Sequence, residues 1–422
     1  MRHEAKSLAA WLPSFYIFLL CSPDFDQGDK EWRERESART VIVVDNNIEH
    51  IINRYKQNMK LWAIAFTLLP LLGIIYAGYH IWRILPFSTT WRTVTLAVLL
   101  LCVCCFFMQF LCDIDSWSMP LARLVYEVGN SSIFILLYLV MLFIVLDVLH
   151  LCHVVPSSLL THSVRGTVGV TVIMVGIFTG AYLQYMHKVA RHIKVETLKP
   201  LPHDTRVILV SDLHLGYHNT RADLHKWVDM INAHHPDLIL TCGDIIDRSI
   251  RPLQEEHMAE EFHRLKAPVY GVFGNHEYFC GQKDALQFYA DAGIHIMNDR
   301  AVSLDSIDII GRDDYSRVGR QKLELIMQPL GFQHFSILLD HQPATLEDAH
   351  KQNVDFQFSG HTHNGQMWPI NWIEKLIYDD AYGPTKRGQT NYYVTSGLGQ
   401  WGAKFRIGSR SEYVVLDIVQ RK

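Results

Sequence analysis

Between residues 61 and 187 the chain carries only eight charged side chains: Arg83, Arg92, Asp113, Asp115, Arg123, Glu127, Asp147 and Arg165. The full 422 residues hold 39 Lys and Arg against 43 Asp and Glu, so nearly all the charge lies elsewhere. Within this stretch four apolar runs, 61–82, 93–112, 132–152 and 166–186, each reach the roughly 20 residues that cross a hydrocarbon core about 30 Å thick. One such run would also suit a buried globular helix. Four in succession, joined by short connections, predict a four-helix transmembrane bundle. The chain therefore divides into a tail at 1–60, a four-span region at 61–187 and a polar domain at 188–422.

The tail is the least informative part. Its apolar run at 8–21 is interrupted by Pro13 and is too short to span, which leaves a signal-like segment, an interfacial segment or an upstream extension of the coding start. A polar stretch follows, with Ile48, Ile51, Ile52 and Tyr55 at the spacing of a short amphipathic helix. Eight cysteines show no framework spacing, and four of them sit together at Cys102, Cys104, Cys105 and Cys112, so no disulfide-stapled secreted domain is expected. The net charge of −4 argues against a nucleic-acid polymer as partner. The expected partner is the lipid bilayer.

Arg54, Lys56, Lys60, Arg123, Lys188, Arg191, Lys194 and Lys199 gather on one side of the spans, against Arg83, Arg92 and Arg165 on the other. The positive-inside rule then places the polar domain on the cytoplasmic side of a multi-pass cell-membrane protein. Asp147, with His150 and His153, reads either as an intramembrane relay or, preferably, as a helix end near the interface. Gly176 and Gly180 form a GxxxG pair suited to packing inside the bundle or to dimerisation.

In the polar half, short β-rich runs alternate with helical stretches, which predicts one α/β domain. Strands are expected at 207–210, 238–240, 269–273, 307–310, 335–339, 356–358 and 392–394, and helices at 219–234, 253–265 and 283–292. The residues just after these strands carry the chemistry. They are Ser211-Asp212-Leu213-His214, Gly243-Asp244-Ile245-Ile246-Asp247, Gly274-Asn275-His276-Glu277, Asp340-His341 and Gly360-His361-Thr362-His363. Loops at strand carboxyl ends are where α/β sheets assemble sites.

Carboxylates, imidazoles and an amide oxygen, without thiolate, suit divalent ions of intermediate hardness such as Mn²⁺, Fe²⁺ or Zn²⁺, and there are donors enough for two. In Asp212-x-His214 and His361-x-His363, alternate residues of an extended strand end are expected to face one way. Two adjacent ions activate a shared water and clamp a phosphate in line with it. Each fragment alone is weak evidence, and a lone histidine is more often structural. Five fragments in order, each after an expected strand, point to a dinuclear metal site. Cys242 ends an apolar run and is expected in the core.

These motifs resemble the calcineurin-like metallophosphoesterase superfamily, with its D-x-H, G-D-x-x-D, G-N-H-[D/E], later histidine and G-H-x-H. The resemblance covers about residues 200–420. Around Ile309 to Asp313, Leu338 to Pro343 and Gly397-Leu398-Gly399 with Trp401-Gly402, it is similar to a membrane-anchored bacterial branch with N-terminal spans. It implies a four-layer α/β/β/α sandwich and two divalent ions, manganese foremost. It further implies that Asp212, His214, Asp244 and His363 hold one metal, and Asp244, Asn275, His341 and His361 the other. His276, oriented by Asp247, would serve as general acid or charge stabiliser. Of these, His341 rests on a single histidine, with His334 and His350 read as surface neighbours. Arg248 and Arg406 are the candidate contacts for substrate phosphate.

The expected activity is hydrolysis of a phosphoester or pyrophosphate. The aromatic and aliphatic segment at 366–378 either packs on the core or forms an apolar lip. The lip favours a phosphorylated lipid or lipid-linked nucleotide as substrate. A phosphodiesterase for a soluble nucleotide and a non-catalytic membrane sensor or transport unit are the alternatives.

Overall fold

The computed structural model describes residues 68–331 and 333–421. The tail at 1–60 and the first residues of the first apolar run lie outside the described residues. The chain forms two compact units, one holding residues up to Ile114 with Val128–Val175, the other Asp115–Glu127 with Gly176–Lys422.

Among the described residues, three helices are long and apolar enough to cross a membrane: Thr89–Leu111, Met119–Leu151 and Val164–Met186. The apolar helix Leu68–Ile84 precedes them and is described over 17 residues or fewer. The expected count of four spans therefore rests on a run whose start is not described. Met119–Leu151 has 33 residues, about 50 Å at 1.5 Å per residue, well beyond a hydrocarbon core of about 30 Å. Its first turns, with Arg123 and Glu127, belong to the second unit.

In the first unit, Asp147 is not isolated. Its carboxylate accepts from Tyr76 at 2.6 Å and lies 3.1 Å from His80 Nε2, while His80 stacks on Phe143. Gly129 lets two helices meet closely, since a Cβ there would lie 2.5 Å from the Phe106 nitrogen. At Gly176 and Gly180 a Cβ would meet nothing within 4 Å, so the GxxxG pair is not used for packing among the described residues.

The second unit is built on two six-stranded sheets. The strands are β1 Lys188–Thr197, β2 Thr205–Val210, β3 Leu238–Cys242, β4 Val269–Val272, β5 Ile294–Ile296, β6 Arg300–Leu304, β7 Ile307–Gly311, β8 Phe335–Leu339, β9 Phe356–Ser359, β10 Gly383–Arg387, β11 Thr390–Val394 and β12 Ser411–Gln420. One sheet has the order β1-β12-β2-β3-β4-β5, the other β10-β11-β9-β8-β7-β6. Strands β2 to β5 are mutually parallel, as are β7, β8, β9 and β11.

Strand periodicity sorts side chains into layers. Val207, Leu209, Leu240 and Cys242 meet Ile309, Ile337, Leu339 and Phe358 between the sheets. The alternate residues Ile208, Val210 and Ile239 point outward onto Trp227, Val228, Phe262 and Phe288 of covering helices. On the far side Ile310 and Leu338 pack on Leu323, Ile326, Leu346 and Ala349. The result is the expected four-layer α/β/β/α sandwich. The expected helix at 253–265 is instead two short helices, Arg251–Glu255 and Ala259–Phe262, separated where His257 adopts a positive φ of 51°.

The glycine contacts predict a contrast. Gly129→Leu should destabilise the detergent-solubilised protein by about 1–3 kcal/mol through overpacking, seen as a lowered melting temperature. Gly176→Leu should leave it unchanged.

Candidate metal centre

All five motif loops leave the carboxyl ends of parallel strands. Asp212 and His214 follow β2, Asp244 and Asp247 follow β3, and Asn275 and His276 follow β4, in the first sheet. His341 follows β8, and His361 and His363 follow β9, in the second. Packing the two sheets face to face therefore brings distant stretches of chain to one end of the sandwich.

Three clusters result among the described residues: Asp212 with His214 and His363, Asp244 with His341 and His361, and His214 with Asp247 and His276. In the first, His363 Nε2 lies 3.4 Å from Asp212 Oδ1 and 3.1 Å from His214 Nε2. In the second, His341 Nε2 lies 3.1 Å from Asp244 Oδ2. The same Asp244 oxygen is 3.7 Å from His214 Nε2, which places this carboxylate between the clusters. All seven expected ligand residues are thus brought together or into adjoining loops, His341 included. His334 instead pairs with Asp308 at 3.1 Å.

The local backbone differs from expectation. Asp212 and His214 have φ of 56° and 46°, and His361 and His363 have 70° and 50°. These are left-handed turns, not extended strand ends, so the two side chains of each pair converge by turning and not by strand alternation. Asp244 is also left-handed, at 52°. Such conformations cost of order 1–3 kcal/mol each for residues with a Cβ and persist where the surroundings over-determine them. Close approach of backbone adds a second constraint. A Cβ at Gly274 would lie 2.2 Å from Asp244 Oδ1, and one at Gly360 would lie 2.2 Å from Asp212 Oδ2.

The donor set fits divalent cations. His341 Nδ1 lies 2.7 Å from the Cys242 carbonyl, which can only accept, so this nitrogen carries a proton. Its Nε2 then aims a lone pair at Asp244 Oδ2 unless a proton or a cation lies between. The side-chain oxygen of Asn275, buried, has no hydrogen-bond partner. An orphaned amide oxygen, imidazole nitrogens facing one another and carboxylates between them are what intermediate-hardness ions require.

Electrostatics point the same way. Burial pushes the Asp244 carboxyl upward, but His341 and His276 outweigh it and hold it well below the usual range. Burial also opposes charge on His214, yet Asp212 and Asp247 push its pKa up to about 10. Crowded negative charge here calls for positive charge.

Asp247 meets the expected partner His276 through its main chain, and its carboxylate faces a second one. Its carboxylate lies 3.2 Å from His214 Nδ1, whereas His276 Nδ1 donates to the Asp247 main-chain carbonyl and is 3.9 Å from the carboxylate. Asp247 thus orients His276 through its backbone and His214 through its side chain, the carboxylate–histidine arrangement common behind metals. His276 and His361 are the only partly exposed members of the set among the described residues, and they mark its open side.

The two candidate phosphate contacts diverge. Arg248 is half-buried and its Nη1 has no hydrogen-bond partner. Arg406 is 1% exposed, and its Nη atoms donate to the carbonyls of His363, Ser396 and Gly399 at 2.9, 2.6 and 2.8 Å. Burial pushes its pKa down to about 10. It ties the His363 loop to the 396–399 loop, and so is not placed to meet substrate. Cys242 is buried as expected, its thiol donating to the Phe358 carbonyl across the sheets.

Glu277 was named only as the last letter of a motif, and it proves central. Its two oxygens accept from the backbone N–H groups of Asp244, Ile245, Ile246 and Gly274 at 2.7 to 3.0 Å. This latch fixes the Asp244 turn against the Asn275 turn. Glu277→Gln puts an amide N–H₂ where two backbone donors need an acceptor. At about 1–3 kcal/mol per unsatisfied buried group, it should destabilise the domain by about 2–6 kcal/mol, measured by thermal unfolding of the full chain.

Residues 205–365 match the calcineurin-like phosphoesterase family. The chain is 31% identical over 229 residues to an uncharacterized metallophosphoesterase of Campylobacter jejuni, covering 53% of this chain and 61% of that protein. It is 29% identical to an uncharacterized metallophosphoesterase of Aquifex aeolicus, covering 58% of this chain and 97% of that one. It is 28% identical to a bovine transmembrane protein with metallophosphoesterase domain, covering 53% and 55%. The chain spans about three fifths of the length of the Campylobacter relative. Residues 205–365 are thus a calcineurin-like phosphoesterase domain, in a chain whose described residues include three helices long and apolar enough to cross a membrane.

Proposed function

We propose that this protein is a membrane-tethered phosphohydrolase that works with two divalent ions, manganese foremost, on a phosphoester or pyrophosphate of a lipid or lipid-linked nucleotide. The observation that carries the hydrolase reading is the pair of buried clusters sharing Asp244. Asp212, His214 and His363 would hold one ion. Asn275, His341 and His361 would hold the other, with Asp244 between them. When bound, the ions supply charge neutralisation and water activation. No protein nucleophile is then needed.

The chain's own residues do the rest. His276, on the open side and held through Asp247, stands where it can donate a proton to a leaving oxygen or stabilise charge on the phosphate. Arg248, with an unpartnered nitrogen, is suited to pair with a phosphate oxygen. Glu277 and Arg406 keep the loops in place.

The lipid part rests on the helix Ile370–Ile377, which has no buried residue. Trp372, Ile373 and Leu376 are 58%, 52% and 82% exposed on one face, which argues against core packing for this helix, while Met367 and Tyr378 beside it are buried. The helix also adjoins the end of a spanning helix through a short chain of contacts. Phe405 packs on Phe178, the Arg406 backbone bonds to Ala181, and Ile407 pairs with Met367 and Trp368. An exposed apolar face one layer from a membrane helix is suited to the lipid surface. The excess of Lys and Arg favours the cytoplasmic side.

Purified full-length protein with Mn²⁺ should cleave a soluble aryl phosphodiester. Asp244→Asn should lower kcat by more than about a hundredfold, because even partners one step behind the ligands cost about 10–100-fold. Turnover retained in that folded variant defeats the hydrolase reading and favours a sensor. Trp372→Glu should spare the aryl substrate but cut cleavage of phosphorylated lipid in vesicles at least severalfold. Equal activity of both proteins on lipid, or no lipid cleavage by either, would remove the lipid substrate and leave a soluble nucleotide.

A further inference from the structure

We propose that Tyr126, carried by the spanning helix Met119–Leu151, is a positioning residue of the metal centre and acts through Asp247. This deepens the metallophosphoesterase reading and rests on it.

Tyr126 lies about 120 residues before Asp247 in sequence and belongs to a segment read as a connection between spans. In the structure it is 4% exposed, and its hydroxyl donates to Asp247 Oδ2 at 2.5 Å. The other carboxylate oxygen, Oδ1, is the one that lies 3.2 Å from His214 Nδ1. The phenol therefore occupies one oxygen and leaves the second for the imidazole, which fixes the rotation of the carboxylate. A carboxylate held at one oxygen presents a defined lone pair to His214 and so defines where His214 Nε2 points. The tyrosine oxygen is itself held, accepting from the Gly402 backbone N–H at 3.2 Å.

The ring is placed as firmly as the hydroxyl. It stacks on His218 with centroids 5.2 Å apart and lies 5.7 Å from the Tyr217 ring. The segment around it is fastened to the catalytic unit at several points. Arg123 Nε donates to the Tyr217 carbonyl at 2.8 Å and its guanidinium pairs with Glu256. Tyr217 donates to Asp115 at 2.6 Å, and Arg251 donates to the Trp117 carbonyl at 2.7 Å. Among these contacts the Tyr126 hydroxyl is one that reaches the site, at Asp247. A helix that runs into the spanning region thus supplies a group to the reaction centre, and a polar domain beginning after the last span would lack it.

The test uses the full chain in detergent micelles, with Mn²⁺ alone and then with a soluble aryl phosphodiester. Tyr126→Phe keeps the ring and removes the hydroxyl. It should weaken Mn²⁺ binding, titrated without substrate, by about 10–100-fold, and lower kcat at intermediate Mn²⁺ with KM within twofold. Arg123→Gln weakens the docking of the segment and keeps the hydroxyl, so it should leave Mn²⁺ affinity within twofold. In the Asp247→Asn background, Tyr126→Phe should cost nothing further, because the two act as one unit. Mn²⁺ affinity within twofold of wild type in Tyr126→Phe overturns the proposal, as do additive losses in the double variant or an equal loss in Arg123→Gln. A raised KM alone overturns it too, since the hydroxyl would then serve substrate. Should Tyr126→Phe melt early, the same titration on Tyr126→Trp, which also removes the hydroxyl, carries the same two outcomes. Wild-type protein that binds Mn²⁺ without cleaving any phosphoester defeats the hydrolase reading while leaving the affinity comparison intact.

Discussion

Burying several carboxylates beside one another is costly unless positive charge sits among them. Asp212, Asp244 and Asp247 are all nearly inaccessible, and the histidines and loop backbones around them are arranged as though to answer that cost. Glu277 adds a fourth buried acid, held by four backbone N–H groups. The sheets exist, in this sense, to hold this group of acids together. Parallel strands deliver every motif loop to one end, and the interleaved core of Val207, Leu240, Ile337 and Phe358 sets the spacing between the two halves of the site.

Much of this was legible in the sequence because it depends on short apolar runs followed by polar motifs. All seven expected strands are present, as are the four layers, and the motif side chains gather at one end of the sandwich. What escaped notice has physical reasons. β1, Lys188–Thr197, alternates charged and apolar residues along a half-exposed edge and carries no continuous apolar run. It is recognisable only once β12 pairs with it in parallel. β5 has only three residues, and β6 has no buried residue to form an apolar run. The left-handed turns of Asp212 and His214 cannot be read from residue type, because aspartate and histidine adopt that region more often than most side chains yet still in a small minority of positions.

Long-range polar partners were the other blind spot. The roles of Arg406 and Glu277 depend on which backbone groups lie opposite, and sequence spacing says nothing of that. Arg406 looks like a phosphate ligand by type, yet carbonyls claim it. Tyr126 gave no signal at all, because its partner is Asp247 across more than a hundred residues and its own neighbourhood reads as a connection between spans. The excess length of Met119–Leu151 over a bilayer was the one clue available, and it becomes visible only when the helix is seen to start at Met119.

The left-handed backbone at Asp212, His214, Asp244, His361 and His363 has an evolutionary corollary. Glycine would relax each of these five turns, and each such replacement would also delete a candidate metal donor. A lineage under pressure only to fold would drift toward glycine there and shed its chemistry in exchange for a calmer main chain. This chain instead keeps three imidazoles and two acids at five left-handed positions, so its main chain and its chemistry are bound to the same residues.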